Sequence, residues 1–172
     1  MKQPNTNNQK IVLANMVVGR DGCTTIHSRS SGLSSQEDRA RFHELRKRAD
    51  VILIGGNTAR HEPYAKTPVP LVVLTQGELP LSIATNTQAR AVNLSLEEAL
   101  TVLSGCILIE AGPSIISQGL RSKLIDEFHL TRADIESGEN CLDLEELTRG
   151  YIEVAHEEVG SDIFQIFKSR SL

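Results

Sequence analysis

Val51-Ile-Leu-Ile54 is an unbroken apolar run that stops at Gly55-Gly56, and Cys106-Ile-Leu-Ile109 is a second that stops at Glu110-Ala-Gly112. Runs this short and this free of polar residues read as strands covered on both faces, the kind found inside a parallel sheet. A helical pattern precedes each one. Ser34 with Glu37 reads as a capping box opening a helix over 35–48, with Phe42, Leu45 and Ala49 at helical spacing. Ser95 with Glu98 opens another to about Ser104. Pro113 suits the first position of a third, continued by Ile116, Leu120 and Leu124. Lys10–Val18 and Pro70–Thr75 read as further strands, Ala89–Leu94 as a short one, and Gly19–Gly32 as a long loop. From Glu127 the pattern changes: 127–133, 151–159 and 164–168 read as strands with no long helix between them. The expectation is an α/β fold: a mixed, mainly parallel sheet flanked by helices, ending in antiparallel C-terminal strands.

Composition narrows the function classes. With 172 residues, one domain is the prior, expected over 11–170 behind a flexible, Asn/Gln-rich tail at 1–10. A net charge of -4, with two Tyr, four Phe and no Trp, argues against nucleic acid as a partner. The longest apolar runs are strand-sized, so no membrane partner is expected. The polar N-terminus fits neither a signal nor a transit peptide, and a cytoplasmic location follows as an expectation. Cys23, Cys106 and Cys141 are odd in number and far apart, which makes a disulfide framework or a zinc site improbable. The five histidines show no ligand spacing, and no metal is expected.

Ligands of open α/β sheets bind beyond the carboxyl ends of the strands. Two glycine-bearing turns stand there: Gly55-Gly56-Asn57-Thr58 and Glu110-Ala111-Gly112-Pro113-Ser114. Glycine lets backbone approach a ligand, and the unpaired N–H groups of a helix start attract phosphate. Neither turn has the Gly-x-Gly-x-x-Gly spacing or a Walker lysine. Glu110, directly after Ile-Leu-Ile, can accept hydrogen bonds from a ligand or relay a proton. It can equally be a plain helix-start charge. Arg39, Arg41, Arg46, Lys47 and Arg48 read as a solvated helix face.

The order of these pieces is more telling than any one of them. Asn15-Met16 and Asp21-Gly22 precede Leu33-Ser34-Ser35, Glu37-Asp38-Arg39 and Leu45-Arg46. Ala49 to Thr58, Glu62-Pro63, Glu110 to Pro113 and Leu124 to Thr131 then follow. This series resembles the reductase domain of the bifunctional riboflavin-biosynthesis deaminase-reductase, which has a dihydrofolate-reductase-like fold. The resemblance spans roughly residues 11–170. It implies NADPH-dependent reduction of a ribosylamino-pyrimidine phosphate, hydride going to C1 of the sugar, by a cytoplasmic homodimer. By position, Gly55, Gly56, Thr58, Glu62, Thr75 and Val92 match cofactor contacts, and Gly112, Pro113, Ser114, Ile115 and Ile116 match the pyrophosphate turn. Ser30, Arg46 and Glu110 match substrate contacts, with Glu110 and Glu62 as the catalytic carboxylates.

The departures fall on the substrate side. Cys23 stands where many relatives carry Lys or Arg, Gly32 replaces an aromatic residue, and the arginine expected after Glu62-Pro63 has no counterpart in Tyr64–Pro68. A dihydrofolate-reductase-like enzyme for another pterin or pyrimidine, or a non-catalytic NADP-binding dimeric module, therefore stays open beside the leading reading.

Overall fold

The computed structural model describes residues 10–170. An eight-stranded sheet organises them. Its strands are β1 (Ile11–Gly19), β3 (Val51–Gly55), β4 (Leu71–Leu74), β5 (Ala89–Val92), β6 (Cys106–Ile109), β7 (Glu127–Ala133), β9 (Tyr151–Val159) and β10 (Asp162–Ser169). Across the sheet the order is β5-β4-β3-β6-β1-β7-β10-β9. Every pairing from β5 to β7 is parallel, and β7-β10 and β10-β9 are antiparallel. This is the mixed sheet expected from the sequence.

The helices are α1 (Gln36–Arg48), α2 (Gly56–His61), α3 (Leu96–Val102), α4 (Pro113–Arg121) and α5 (Leu144–Leu147). Alternation along the strands sorts the core into two layers. Val12, Ala14, Leu53, Ile107 and Ile109 face α3 and α4 through Leu96, Leu100, Ile116 and Leu120. Leu13 and Leu108 pack against Leu45 and Ala49 of the α1 segment, and Ile52 and Ile54 against Ala59 and Tyr64. Strands covered on both sides explain why β3 and β6 have no polar alternation.

Three local expectations need correction. The cap of α1 is Ser35, not Ser34: Ser35 Oγ accepts from the Asp38 amide at 3.0 Å, while Ser34 donates to the Asp38 carboxylate. The stretch 19–32 is not all loop. It contains β2 (Cys23–Thr25), which pairs antiparallel with β8 (Glu139–Cys141) in a small separate sheet. Within that ladder Cys23 lies opposite Cys141, and a disulfide joins them although 118 positions separate them. Sequence distance concealed a pairing that the chain's return beside β1 creates. The Ser95–Glu98 capping box is present in full. Of the expected tail at 1–10, all but Lys10 lies outside the described residues. Lys10 itself donates to the Leu100 carbonyl at 2.8 Å.

Candidate active site

β6 lies between β3 and β1, and the chain leaves β3 and β6 through its two glycine turns. A cavity of about 780 Å³ opens at these strand ends. It is lined by Gly55, Gly56 and Thr58 after β3, by Glu110 to Ile115 after β6, and by Ser30, Glu62 and Arg46. Thr24, Thr25, Ser28 and Asn140 of the β2–β8 region complete its wall. Strand order thus gathers into one hollow residues that the sequence scatters over more than a hundred positions.

The turn after β6 is built for close approach. Gly112 is the N-cap of α4, has no side-chain cap, and is followed by Pro113 in the first turn. A Cβ at Gly112 would meet only Thr58 Oγ1, at 3.9 Å, so the space in front of the helix start is open. Exposed N–H groups there, with the positive end of the helix dipole, fit a phosphate. At the turn after β3, a Cβ on Gly56 would come within 3.2 Å of Thr75 Oγ1, and one on Gly55 within 2.6 Å of Ile115 Cδ1. A side chain at 55 would therefore have to displace the terminal methyl of Ile115 at the start of α4.

Glu110 sits at the floor with its side chain only 2% exposed. Arg46 donates to it twice, Nε to Oε1 at 2.8 Å and Nη2 to Oε2 at 2.7 Å. Tyr64 donates its hydroxyl to Oε2 at 2.8 Å. The Arg46 guanidinium also lies over the rings of Phe42, 4.2 Å from the centroid, and Tyr64, at 5.3 Å. Burial pulls the guanidinium's pKa down, but the bonds to Glu110 outweigh it and leave the value raised. Burial, reinforced by the Glu110 charge, pushes the Tyr64 phenol well above its ordinary value, so it stays a donor. Held in this way, Glu110 accepts three hydrogen bonds at the base of the cavity.

The second carboxylate is differently placed. Glu62 caps the end of α2, its amide donates to the Thr58 carbonyl, and its Oε1 accepts from the Ser30 amide at 2.7 Å. Glu62 thereby ties the 28–32 segment to α2 across the cavity.

Three of the expected cofactor residues do not line this hollow. Ile116 is fully buried in the core. Val92 is packed against the same core, and Thr75 accepts from the Gly77 amide at 3.2 Å beside the turn. The basic face of α1 is also less solvated than expected. Arg46 turns inward to Glu110, Arg41 lies 3.8 Å over the Phe164 ring and pairs with Glu157, and Arg48 bonds Glu127 at 2.9 Å. Sequence reasoning missed Tyr64. Its neighbour Pro63 marks the segment, but only tertiary packing shows that its hydroxyl ends at Glu110. Asn86, buried, holds that segment by donating to the Tyr64 carbonyl and to Thr67 Oγ1, each at 3.0 Å.

The sequence profile of the RibD C-terminal domain matches residues 10–163. The chain belongs to the RibD C-terminal domain family. Members of this family are reductases that use a nicotinamide cofactor on small-molecule substrates. Among solved structures, a pyrimidine reductase-like protein from Corynebacterium diphtheriae superposes with a TM-score of 0.76 at 20% identity, over 96% of this chain and 94% of that one. Acinetobacter baumannii RibD gives a TM-score of 0.72 at 16% identity, over 96% of this chain and 59% of its own. A Thermotoga maritima diaminohydroxyphosphoribosylaminopyrimidine deaminase/5-amino-6-(5-phosphoribosylamino)uracil reductase gives 0.71 at 15%, over 93% and 56%. The chain thus spans somewhat over half of the latter two proteins and nearly all of the first. No curated protein matches it in sequence. Among the described residues, no helix of this RibD-family chain is long and apolar enough to cross a membrane.

Proposed function

We propose that this chain is an NADPH-dependent reductase of the riboflavin-biosynthesis type, reducing the ribosyl group of 5-amino-6-(5-phosphoribosylamino)uracil or its 2,5-diamino precursor to the ribitylamino form. The observation that carries this reading is the convergence of the open α4 start and a buried Glu110, paired with Arg46, on one cavity large enough for a dinucleotide end and a heterocycle. In this reading Gly112, Pro113, Ser114 and Ile115 would hold the pyrophosphate, and Gly55, Gly56 and Thr58 would hold the adjoining part of the cofactor. NADPH supplies the hydride. The chain's own task is to seat the sugar and supply donors and acceptors. Glu110 accepts N–H bonds from the pyrimidine, with Arg46 and Tyr64 fixing its direction. Glu62, beside Ser30, stands by the sugar. Hydride reaches C1, the bond from C1 to the ring oxygen breaks, and that oxygen takes a proton.

We place this reductase in the cytoplasm as a homodimer. The edge strand β9, with Ile152 48% and Val154 51% exposed, supports pairing with a second copy. Incubating the protein with NADPH and the ribosylamino-pyrimidine phosphate should yield a product heavier by one hydride and one proton. Mass spectrometry that finds only unchanged substrate overturns the assignment.

A further inference from the structure

We propose that Cys23–Cys141 is a reversible thiol–disulfide site whose state determines whether the β2–β8 wall of the cavity is ordered. The consequence for substrate binding rests on the reductase reading above. The order of the wall does not.

The disulfide adds a covalent tie to a wall otherwise held by hydrogen bonds and the burial of β2. β2 and β8 make a two-stranded ladder outside the main sheet, with two register pairs, Cys23 opposite Cys141 and Thr25 opposite Glu139. Such ribbons are marginal on their own. β8 is exposed along its length. Ser28 and Asn140, which both face the cavity, have positive φ of 63° and 55°, a region that residues with side chains rarely occupy. The non-covalent ties are the burial of Cys23 and Thr24, the packing of Leu142 on the core, and hydrogen bonds that include Thr24 Oγ1 to the Asn140 carbonyl at 3.1 Å, the Ser28 amide to Glu139 at 2.9 Å and the Leu142 amide to the Gly22 carbonyl at 3.0 Å. The disulfide is the one covalent constraint on four residues that line the cavity: Thr24, Thr25, Ser28 and Asn140.

Access to the two sulfurs is unequal. Cys23 is 1% exposed, whereas Cys141 is exposed. A reducing thiolate therefore attacks the sulfur of Cys141, forming a mixed disulfide there, and Cys23 leaves as the thiolate and takes a proton. The second thiol of the same reductant then displaces Cys141. One protein disulfide and one external dithiol become two protein thiols and one external disulfide. In the cytoplasm, where such a protein would work, disulfides of this kind are transient and redox-sensing.

The test compares oxidised and dithiothreitol-reduced full-length protein by hydrogen exchange with mass spectrometry. EDTA is included, because Asp21, Cys23 and Cys141 bring ligand atoms within 4.8 Å of one another and thiolates are metal ligands. Non-reduced digests should contain a peptide linking Cys23 to Cys141. Reduction should speed exchange at 22–28 and 138–142 by at least about tenfold, leave β6 and α4 unchanged, and reverse on re-oxidation. Cys141→Ser should exchange like the reduced protein and ignore reductant. Absence of the linked peptide, or equal exchange in both states, overturns the proposal. For an active enzyme, reduction should raise the substrate KM several-fold and leave NADPH affinity unchanged. Protein that shows the exchange difference yet turns over no ribosylamino-pyrimidine keeps the redox site and overturns the reductase reading instead.

Discussion

Arg46 meets Glu110 through two parallel hydrogen bonds, 2.8 and 2.7 Å long, and so fastens the last turn of α1 to the end of β6 at the floor of the cavity. The pair is nearly dry, with side chains 14% and 2% exposed. Removing one partner from such a pair strands a charge, at a cost of about 3–5 kcal/mol. Arg46→Met should lower the urea-unfolding free energy by that amount. Arg46→Met with Glu110→Leu should recover most of it, since no charge is then left behind. A single variant as stable as the parent would contradict the buried pair.

Tyr64 gives the same carboxylate its third bond, at 2.8 Å. A hydrogen bond to a charged group contributes about 1.5–3 kcal/mol, so Tyr64→Phe should lose stability within that range. The phenol's pKa lies well above its ordinary value through burial and the Glu110 charge. The loss should therefore be the same from about pH 6 to 9, as chemical denaturation at several pH values can check. A loss that vanishes at the alkaline end would show that the phenol ionises.

Gly112 has φ −66°, a conformation open to any residue, and a Cβ there meets nothing closer than 3.9 Å. Gly112→Val should accordingly fold. Its side chain would stand in front of the α4 start, where backbone must approach phosphate. Fluorescence titration should show weakened NADPH binding with an unchanged melting temperature. Parental affinity in a folded variant would remove this turn from the cofactor site.

Glu127 accepts from Arg48 at 2.9 Å and from His129 Nε2 at 2.6 Å. Burial raises its carboxyl pKa, but the His129 and Arg48 bonds outweigh burial and hold it at about 2, against an ordinary 4.5. Burial also holds His129 below its ordinary 6.5, only partly offset by Glu127. Both groups bind protons more weakly folded than unfolded, so both stabilise the fold at neutral pH and lose that contribution on acidification. The His129 share should fade below about pH 6.5, and the Glu127 share from about 4.5 down to about 2. Melting temperature should fall in both windows. Glu127→Gln should flatten the lower one, and an unchanged acid limb in that variant would contradict the assignment.

Much of the fold was legible because β3 and β6 are apolar on both faces and lead into glycine-bearing turns, and because Ser95 and Glu98 state a helix start in four letters. The family followed from the order of those pieces. What stayed hidden depends on contacts between distant segments. No periodicity marks β2 or β8, three residues each, and nothing local to Cys23 announces Cys141. Arg46 sits in a basic stretch that reads as solvated, and only the position of α1 against β6 turns it inward. Tyr64 lies in a segment without pattern, whose placement depends on Asn86, more than twenty residues on.

The most direct test of the central claim is NADPH fluorescence titration of the full-length protein, followed by cofactor absorbance after addition of the ribosylamino-pyrimidine phosphate. The absence of Trp keeps the protein's own emission low. Saturable binding followed by stoichiometric loss of NADPH absorbance is the predicted result. A folded protein that binds no NADPH would contradict the account at its base.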